Sequence, residues 1–236
     1  MNILAVDTSA TELTLAVSAG NRFEENSIKP QGMKHSEIIM PRIFDILRDA
    51  GLEVRDLDLL VCTRGPGSFT GLRIGMAAMK GLSFGLSKPI ASVSTLEYHA
   101  RTVQHFDGAV VSAVDARKNK FYVSAFRCFE GTCTRLMDDT DGTVKDLATA
   151  LGGYEKVLVV GPDKYVFAQM LFEEYPDKVF VTECEDTVSP GLALIKLGLE
   201  KYEKEGPDDI GQGPVYLRKS DAEIALEEKE AGNGEH

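Results

Sequence analysis

The stretch "RGPGSFTGLRIG", from Arg64 to Gly75, has the glycine content of a loop that binds phosphate. A Walker A loop ends in Gly-Lys-Ser/Thr, where the lysine reaches the phosphates, but here Gly71 is followed by Leu72 and Arg73. A dinucleotide fingerprint requires glycine at its first, third and sixth positions, and counting from Gly65 the sixth position is Thr70. Both signatures fail, so the residues permit phosphate binding without requiring it.

The helix predicted to follow this loop carries small residues along one face. At 100° per residue, one narrow stripe contains Gly71, Gly75, Ala78, Leu82 and Gly85. A glycine inside a helix costs about 1 kcal/mol relative to alanine, so three glycines on one stripe need a compensating contact. Close approach of another helix would supply it, from this chain or from a second subunit. We therefore predict that the stretch is primarily an interface element, with Ser68 or Thr70 capping the helix.

Other reactive side chains form no recognisable catalytic pattern. Neither a CxxC pair nor a regular framework occurs among the cysteines, which are predicted to be reduced and mostly buried. His99, Arg101 and His105 form no triad with a nearby nucleophile and are predicted to lie at the surface. A formal net charge of -11 argues against nucleic-acid binding by this chain alone. The four cysteines are Cys62, Cys128, Cys133 and Cys184.

The order of apolar segments predicts an α/β protein whose two halves repeat one plan. Each half begins with three strands joined by short turns and continues with alternating helices and strands. In the first half the strands are predicted at 2–6, 12–18 and 21–28, followed by helices near 34–50 and 70–86. The second half repeats this order from residue 109, with a helix near 143–151, and a late helix at 189–206 is assigned to it. A cleft between two such halves commonly binds a ligand.

These segments also give the predicted domain limits. The first half covers 1–106 and the second 107–209, while a segment at 210–228 returns to pack on the first half. The polar end at 229–236 is predicted to be disordered. The opening "MNILAVDTSA" has neither a basic region nor a long apolar run, so a cytoplasmic protein without a membrane segment is expected.

Six blocks of sequence together carry a family resemblance. In order they are "ILAVDTS", "KHSEIIMPRI", "RGPGSFTGLRIG", "VSTLE", "AVDARKNKFY" and "YLRKSDAE". The chain resembles the bacterial TsaB (YeaZ) family over nearly its whole length. The resemblance implies the actin-like, Hsp70-like ATPase fold, built from two RNase H-like halves. It also implies a non-catalytic subunit that pairs with a homologous catalytic subunit, TsaD, and works with a small ATPase, TsaE, in making N6-threonylcarbamoyladenosine at position 37 of tRNA.

The resemblance also suggests what the chain lacks. The catalytic homologue binds a metal through two histidines four residues apart on the first helix, whereas His35 has Gln31 and Ile39 at those spacings. No metal site is therefore predicted, and His35 is expected to face solvent or cap the helix. No cofactor is expected to be required, although the resemblance leaves room for weak ATP or ADP binding at the partner junction.

Asp7, Thr8 and Ser9 stand where the first phosphate-binding turn of an actin-like fold would lie. They fit either a vestigial phosphate turn or an ordinary turn, since all three side chains readily bond nearby backbone. The matching segment of the second half offers Asp115, Arg117 and Lys118 instead of a glycine-rich loop, which favours the ordinary turn.

The predicted interface joins the first two long helices to the same pair from a partner, as a four-helix bundle. The expected partners are a TsaD-like catalytic subunit and a TsaE-like ATPase, with tRNA bound only through the complex. Without them the chain is predicted to form a two-fold homodimer. The alternative is an autonomous nucleotide-binding enzyme of the same fold, a metallopeptidase or a phosphotransferase. The interface residues are predicted to be Ile39, Ile43, Gly71, Leu72, Gly75, Met76, Ala78, Met79 and Leu82.

Overall fold

The computed structural model describes residues 1–30, 32, 34–117 and 120–218. Within them the first sheet has five strands in the order β3-β2-β1-β4-β5. Strands β1, β2 and β3 pair antiparallel, and β4 and β5 continue parallel to β1. The strands are β1 (Asn2–Asp7), β2 (Leu13–Ala19), β3 (Arg22–Ile28), β4 (Leu59–Gly65) and β5 (Ile90–Ser94).

The second sheet repeats this topology. Its order is β10-β9-β6-β7-β8, with β6, β7 and β8 antiparallel and β9 and β10 parallel to β6. Two separate sheets of identical topology confirm the expected fold class. The strands are β6 (Ala109–Arg117), β7 (Lys120–Phe129), β8 (Thr132–Gly142), β9 (Lys156–Val160) and β10 (Val179–Val181).

Helices connect the parallel strands. The first-sheet crossovers contain α1 (His35–Asp49) and α2 (Phe69–Leu86), and α3 (Thr95–Ala100) leads toward the second sheet. The later helices are α4 (Ala148–Leu151), α5 (Lys164–Glu174) and α6 (Pro190–Glu205). Short 3-10 turns occupy Val54–Asp56 and Val144–Leu147. The sequence analysis predicted neither α5 nor β10.

Strand alternation divides the first half into two cores. Leu4 and Val6 of β1 face the cluster that α1 and α2 cover, whereas Ile3 and Ala5 face the cluster that contains Leu194 of α6. The assignment of α6 to the second half was therefore wrong. Its small and apolar face packs on β1, β2, β4 and β5, and a Cβ at Gly198 would lie 2.3 Å from a Val61 methyl group.

We call the first sheet with α1, α2 and α6 the first half, and the second sheet with α4 and α5 the second half. The outer face of the second sheet packs against α4 and α5 around Phe167. Its inner face packs Val110 and Phe126 against Ala100 at the end of α3 and Val103 just beyond it. Helix α3 therefore lies between the two sheets, where it can fix their relative position.

The C-terminal segment at 206–218 lies along the first half. The Asp208 carboxylate accepts hydrogen bonds from the Ser92 amide and hydroxyl, and the Val215 amide donates to the Arg64 carbonyl at 2.7 Å. The Tyr216 ring stacks on Phe69 with centroids 4.6 Å apart. The rest of the predicted returning segment, 219–228, and the predicted tail at 229–236 lie outside the described residues.

The prediction of four reduced cysteines was wrong for one pair. Cys128 and Cys133 are directly opposed on β7 and β8 and form a disulfide. Glu130 and Gly131, both at positive φ, make the tight turn that brings the two cysteines together. The pairing depends on strand register, which cysteine spacing alone does not reveal. Cys62 and Cys184 are free thiols, and burial raises the pKa of Cys62 to about 12.

Candidate functional site

A cleft of about 790 Å³ opens between the two halves. The β1–β2 turn and the first residues of α1 and α2 form its first-half wall. The end of β6 and the start of α5 form the opposite wall, and Tyr216 and Arg218 of the C-terminal segment complete the lining. We call this space the inter-half cleft. It is where the sequence placed a ligand site.

Asp7 does not face this cleft as a phosphate-orienting residue would. Its carboxylate accepts hydrogen bonds from the Thr63 hydroxyl at 2.7 Å, the Ser9 amide at 2.8 Å and the Tyr98 hydroxyl at 3.0 Å. Asp7 is 3% exposed, so these donors replace the water that the charge loses. Burial first, and then the Asp7 charge, raise the pKa of Tyr98 well above its ordinary value. The Asp7 carboxylate therefore has a structural role inside the first half.

Thr8 explains the first two glycines of the stripe. Its hydroxyl donates to the Gly71 carbonyl at 2.7 Å. A Cβ at Gly71 would lie 2.0 Å from the Thr8 carbonyl oxygen, and one at Gly75 would lie 2.2 Å from the Thr8 Oγ1. The prediction that these glycines serve helix packing was therefore wrong, because they admit the β1–β2 turn against α2.

Ser9 is the one member of the predicted turn that lines the cleft. It is 1% exposed, and its hydroxyl has no hydrogen-bond partner in the described part of the chain. Its carbonyl accepts from the Ser68 amide at 2.7 Å. The Ser68 hydroxyl in turn accepts from the Gly71 amide at 3.2 Å, which confirms Ser68 as the helix cap.

Most residues predicted for the interface lie in the core of the first half. Ile39, Ile43, Met76 and Met79 belong to the buried cluster beneath α1 and α2, and Leu72 is 1% exposed. Gly71 and Gly75 are buried as well. The prediction that these residues form a contact surface for a partner was wrong. The apolar face of an amphipathic helix packs first on the sheet of its own chain. Only Ala78 and Leu82 are half-buried at the edge of this cluster.

The outer side of the same helices carries residues that the prediction passed over. Phe84 is 81% exposed and Phe44 of α1 is 50% exposed. Ala77, Gly81 and Gly85 are exposed beside Phe84 on α2, and a Cβ at either glycine would meet no atom within 4 Å. We call these five residues the exposed helix face. Bulky aromatic rings beside glycine and alanine on solvent-facing helices were the sequence signal for it.

Histidine and arginine side chains have structural partners. His35 Nε2 lies 3.0 Å from the Thr11 carbonyl and so donates to it, tying the start of α1 to the β1–β2 turn. His99 and Arg101 were expected at the surface, but the structure largely buries both. The His99 ring packs against the Tyr98 ring at a tilt and burial lowers its pKa to about 4, while the Arg101 guanidinium pairs with Glu200 at 2.9 Å. The exposed His105 ring packs on Phe129.

The described residues contain neither a candidate metal cluster nor a membrane-spanning helix. Over 1–30, 32, 34–117 and 120–218, no cluster of three or more His, Cys, Asp or Glu side chains could hold a metal ion. None of the helices in these ranges is long and apolar enough to cross a membrane.

The duplicated sheets and the cleft between them define an α/β protein of the actin-like ATPase fold. A family model described as "TsaD: tRNA N6-adenosine threonylcarbamoyltransferase" matches residues 26–181. The chain is 32% identical over 225 residues to the tRNA threonylcarbamoyladenosine biosynthesis protein TsaB of Bacillus subtilis, covering 94% of this chain and 96% of that protein. The chain belongs to the TsaB family.

Two further comparisons concern a related enzyme and the fold. A tRNA N6-adenosine threonylcarbamoyltransferase of Symbiobacterium thermophilum is 33% identical over 113 residues, which cover 41% of this chain and 33% of that protein. A crystal structure of a Pseudomonas aeruginosa protein "with similarity to peptidase YEAZ" superposes with a TM-score of 0.76 at 22% identity. It covers 92% of this chain and 99% of that one, and it supports the fold.

Proposed function

We propose that this chain takes part in the biosynthesis of tRNA N6-threonylcarbamoyladenosine, as a non-catalytic subunit that pairs with a homologous TsaD-type catalytic subunit. The names of its relatives and the matching family model support a part in this biosynthesis. The observation that supports the pairing is the exposed helix face, where the side chain of Phe84 is 81% exposed and lies beside two glycines with free space around them. Association removes such apolar surface from water.

The chemistry of this face suits helix packing. Gly81 and Gly85 have no side chain to hold a second helix away, so a partner helix can approach α2 closely beside the exposed Phe84 ring. A homologous subunit offers a matching pair of helices, and a four-helix bundle is the expected product. In the absence of that subunit, we propose that a second copy of this chain covers the same face and forms a two-fold homodimer.

A non-catalytic role agrees with how the site residues are used. The Asp7 carboxylate is held by three internal donors, and His35 is bound to the Thr11 carbonyl. The autonomous peptidase or phosphotransferase needs such groups to face a substrate, so these contacts favour the subunit over the enzyme. In this proposal the catalytic subunit performs the transfer to tRNA, the TsaE-type ATPase joins the pair, and tRNA meets this chain only within the complex. The proposed compartment is the cytoplasm.

The proposal is tested by mixing the chain with the TsaD-type subunit and the TsaE-type ATPase of the same organism and measuring mass by light scattering, with and without ATP. We expect one-to-one pairing with the catalytic subunit in both conditions, and a homodimer of this chain alone. A mass increase seen only with ATP would instead place weak ATP or ADP binding at the junction. No association under either condition would contradict the proposed function.

Gly81→Leu supplies the variant for this test, with Gly153→Leu as its matched control. A Cβ at either glycine meets no atom within 4 Å, but Gly153 lies in the turn after α4 on the second half. The leucine at position 81 would stand between the two subunits and is expected to weaken pairing at least tenfold. The leucine at position 153 should leave pairing unchanged.

A further inference from the structure

Arg73 extends the exposed helix face toward the start of α2. At 100° per residue, its position lies within about 80° of Ala77, Gly81 and Phe84 around the helix. Arg73 is exposed, as these three residues are, and it does not line the inter-half cleft. One stripe of α2 therefore carries a cation near its start, small residues in its middle and an aromatic ring near its end.

The Arg73 guanidinium is held in place by two aromatic residues. Its Cζ lies over the Phe69 ring, 3.9 Å from the ring centroid, and its Nε donates a hydrogen bond to the Tyr216 hydroxyl at 2.8 Å. Tyr216 in turn stacks on Phe69, with ring centroids 4.6 Å apart. An arginine fixed in this way loses little side-chain freedom when it binds, so less of its binding free energy is spent on ordering.

The same contacts leave the end of the guanidinium group open. The Nε of Arg73 has its acceptor, whereas the two terminal nitrogens have no hydrogen bond or ion pair with any residue that the structure describes. The parallel N–H groups of these nitrogens match the two oxygens of a carboxylate. An Asp or Glu side chain on a partner would therefore complete this group.

A second copy of this chain offers few such carboxylates beside the exposed helix face. Helix α2 contains no acidic residue. On α1, the Asp45 carboxylate lies 2.8 Å from Arg48 and 3.4 Å from Arg42, and the Glu37 carboxylate accepts from the backbone at the start of the helix. Asp49, the last residue of α1, is left. A homodimer therefore uses Arg73 less well than a different subunit with a carboxylate opposite it.

We propose that Arg73 favours a different subunit over a second copy of this chain, by binding an Asp or Glu side chain that the different subunit presents. This inference rests on the proposed pairing and names the residue that makes it specific. A charge pair across an interface contributes to the choice of partner, because a partner without the carboxylate leaves the cation without its acceptor. Arg73 then gives the stretch from Arg64 to Gly75 a contact with the partner, although Gly71 and Gly75 pack inside the chain.

The test compares the parent chain with Arg73→Met, Arg73→Lys and a matched control, Arg127→Met. Arg127 is exposed on β7 of the second half, so its substitution removes the same charge away from the exposed helix face. Dissociation constants for the TsaD-type subunit are measured by titration calorimetry, and those of the homodimer by sedimentation equilibrium. Each is measured in about 0.05 M and about 0.5 M sodium chloride, because salt screens exposed charges.

We expect Arg73→Met to weaken binding of the TsaD-type subunit about tenfold in low salt and to reduce the further loss that high salt causes in the parent chain. Arg73→Lys should restore only part of the affinity, because lysine lacks the paired donors. The dissociation constant of the homodimer should change less than about threefold in either Arg73 variant. Arg127→Met should behave like the parent chain in both measurements.

Each contrary result has a distinct meaning. Unchanged binding of Arg73→Met would overturn the inference and leave the proposed pairing intact. Equal losses in binding the TsaD-type subunit and in homodimer formation would contradict the selectivity, and full affinity of Arg73→Lys would contradict the paired donors. A parent chain that does not bind the TsaD-type subunit would contradict the proposed function, and the inference with it.

Discussion

The two halves share one sheet topology but present different chemistry at the same places. In the first half, the helices beside the cleft have 15 and 18 residues, and the carboxylate of the β1–β2 turn is held inside the protein. In the second half, the corresponding helices have 4 and 11 residues, and Asp115 and Asp163 line the cleft. Two halves with the same sheet topology therefore differ in what they can bind, because the loops and helices around each sheet differ.

Both halves use glycine where a strand leads into a helix. In the second half a Cβ at Gly161 would lie 2.5 Å from the Ala113 carbonyl, and its φ is +102°. In the first half a Cβ at Gly67, between β4 and α2, would lie 2.5 Å from the Ser9 carbonyl. This shared device keeps the end of the first strand of each sheet close to the following helix. The first half adds a buried serine, Ser9, at that junction.

The largest expected effect comes from filling the contact between Thr8 and α2. Gly71→Ala would place a methyl group 2.0 Å from the Thr8 carbonyl oxygen, where neither backbone can yield easily. We expect the free energy of unfolding to fall by at least about 3 kcal/mol. Urea denaturation followed by circular dichroism measures it. A loss below about 1 kcal/mol would show that the turn is not held against the helix as described.

The next effect is a pH dependence from His99. The pKa of its buried imidazole is about 4, against 6.5 in an unfolded chain, so the unfolded state binds a proton first as the pH falls. The stabilising contribution is complete above pH 6.5 and is lost progressively toward pH 4, by up to about 3 kcal/mol.

His99→Gln removes this titration and His105→Gln, at an exposed ring, is the control. Unfolding free energies measured at pH 7 and pH 4.5 should fall less in His99→Gln than in the parent chain. The control should behave like the parent. A parallel decrease in all three proteins would contradict the assignment to His99.

A smaller effect is expected from the disulfide between Cys128 and Cys133 in the second half. Because the closed loop is only six residues long, reduction should lower the free energy of unfolding by about 2 kcal/mol at most. Intact-mass measurement before and after reduction reports whether the bond is present, and urea denaturation with and without reductant reports its effect. Two free thiols in the protein purified without reductant would refute the pairing.

The smallest effect tests the outer side of α2. Gly81→Ala adds a methyl group in open space within a helix, so helix propensity should raise the free energy of unfolding by about 1 kcal/mol. The same denaturation experiment as for Gly71→Ala measures it. A decrease in the free energy of unfolding for Gly71→Ala and an increase for Gly81→Ala would distinguish the packed side of α2 from its exposed side. A loss of stability at position 81, measured at concentrations at which the chain is monomeric, would contradict the open space described beside this glycine.

Local sequence patterns predicted much of this fold. The features that were predicted wrongly depend on contacts between residues far apart in the sequence. Strand-like apolar segments located β1 and β2, and helical spacing and composition located both long crossover helices, each within one or two residues, because period and turn chemistry are local. Helix α6 was assigned to the wrong half, because an apolar helix face does not reveal which sheet it will cover. The disulfide was missed because it depends on the register of β7 against β8.

The candidate site shows the same limit. The sequence identified the glycine-rich stretch and the turn at 7–9, and the structure brings them together. Which glycines meet a turn and which meet solvent depends on the rotation of α2 over its sheet. For that reason Gly71 and Gly75 were grouped with Gly85, although only Gly85 is open.

The most direct test of the account compares two exposed phenylalanines, one on each half. Phe84 on α2 is 81% exposed and Phe172 on α5 is 54% exposed. The measurement is the dissociation constant for the TsaD-type subunit, by titration calorimetry, of the parent chain, Phe84→Glu and Phe172→Glu. We predict that Phe84→Glu weakens binding at least about a hundredfold, as a charge buried in an apolar contact would, while Phe172→Glu changes it less than about threefold. Unchanged binding of Phe84→Glu, or an equal loss in both variants, would contradict the claim that the first half carries the partner surface.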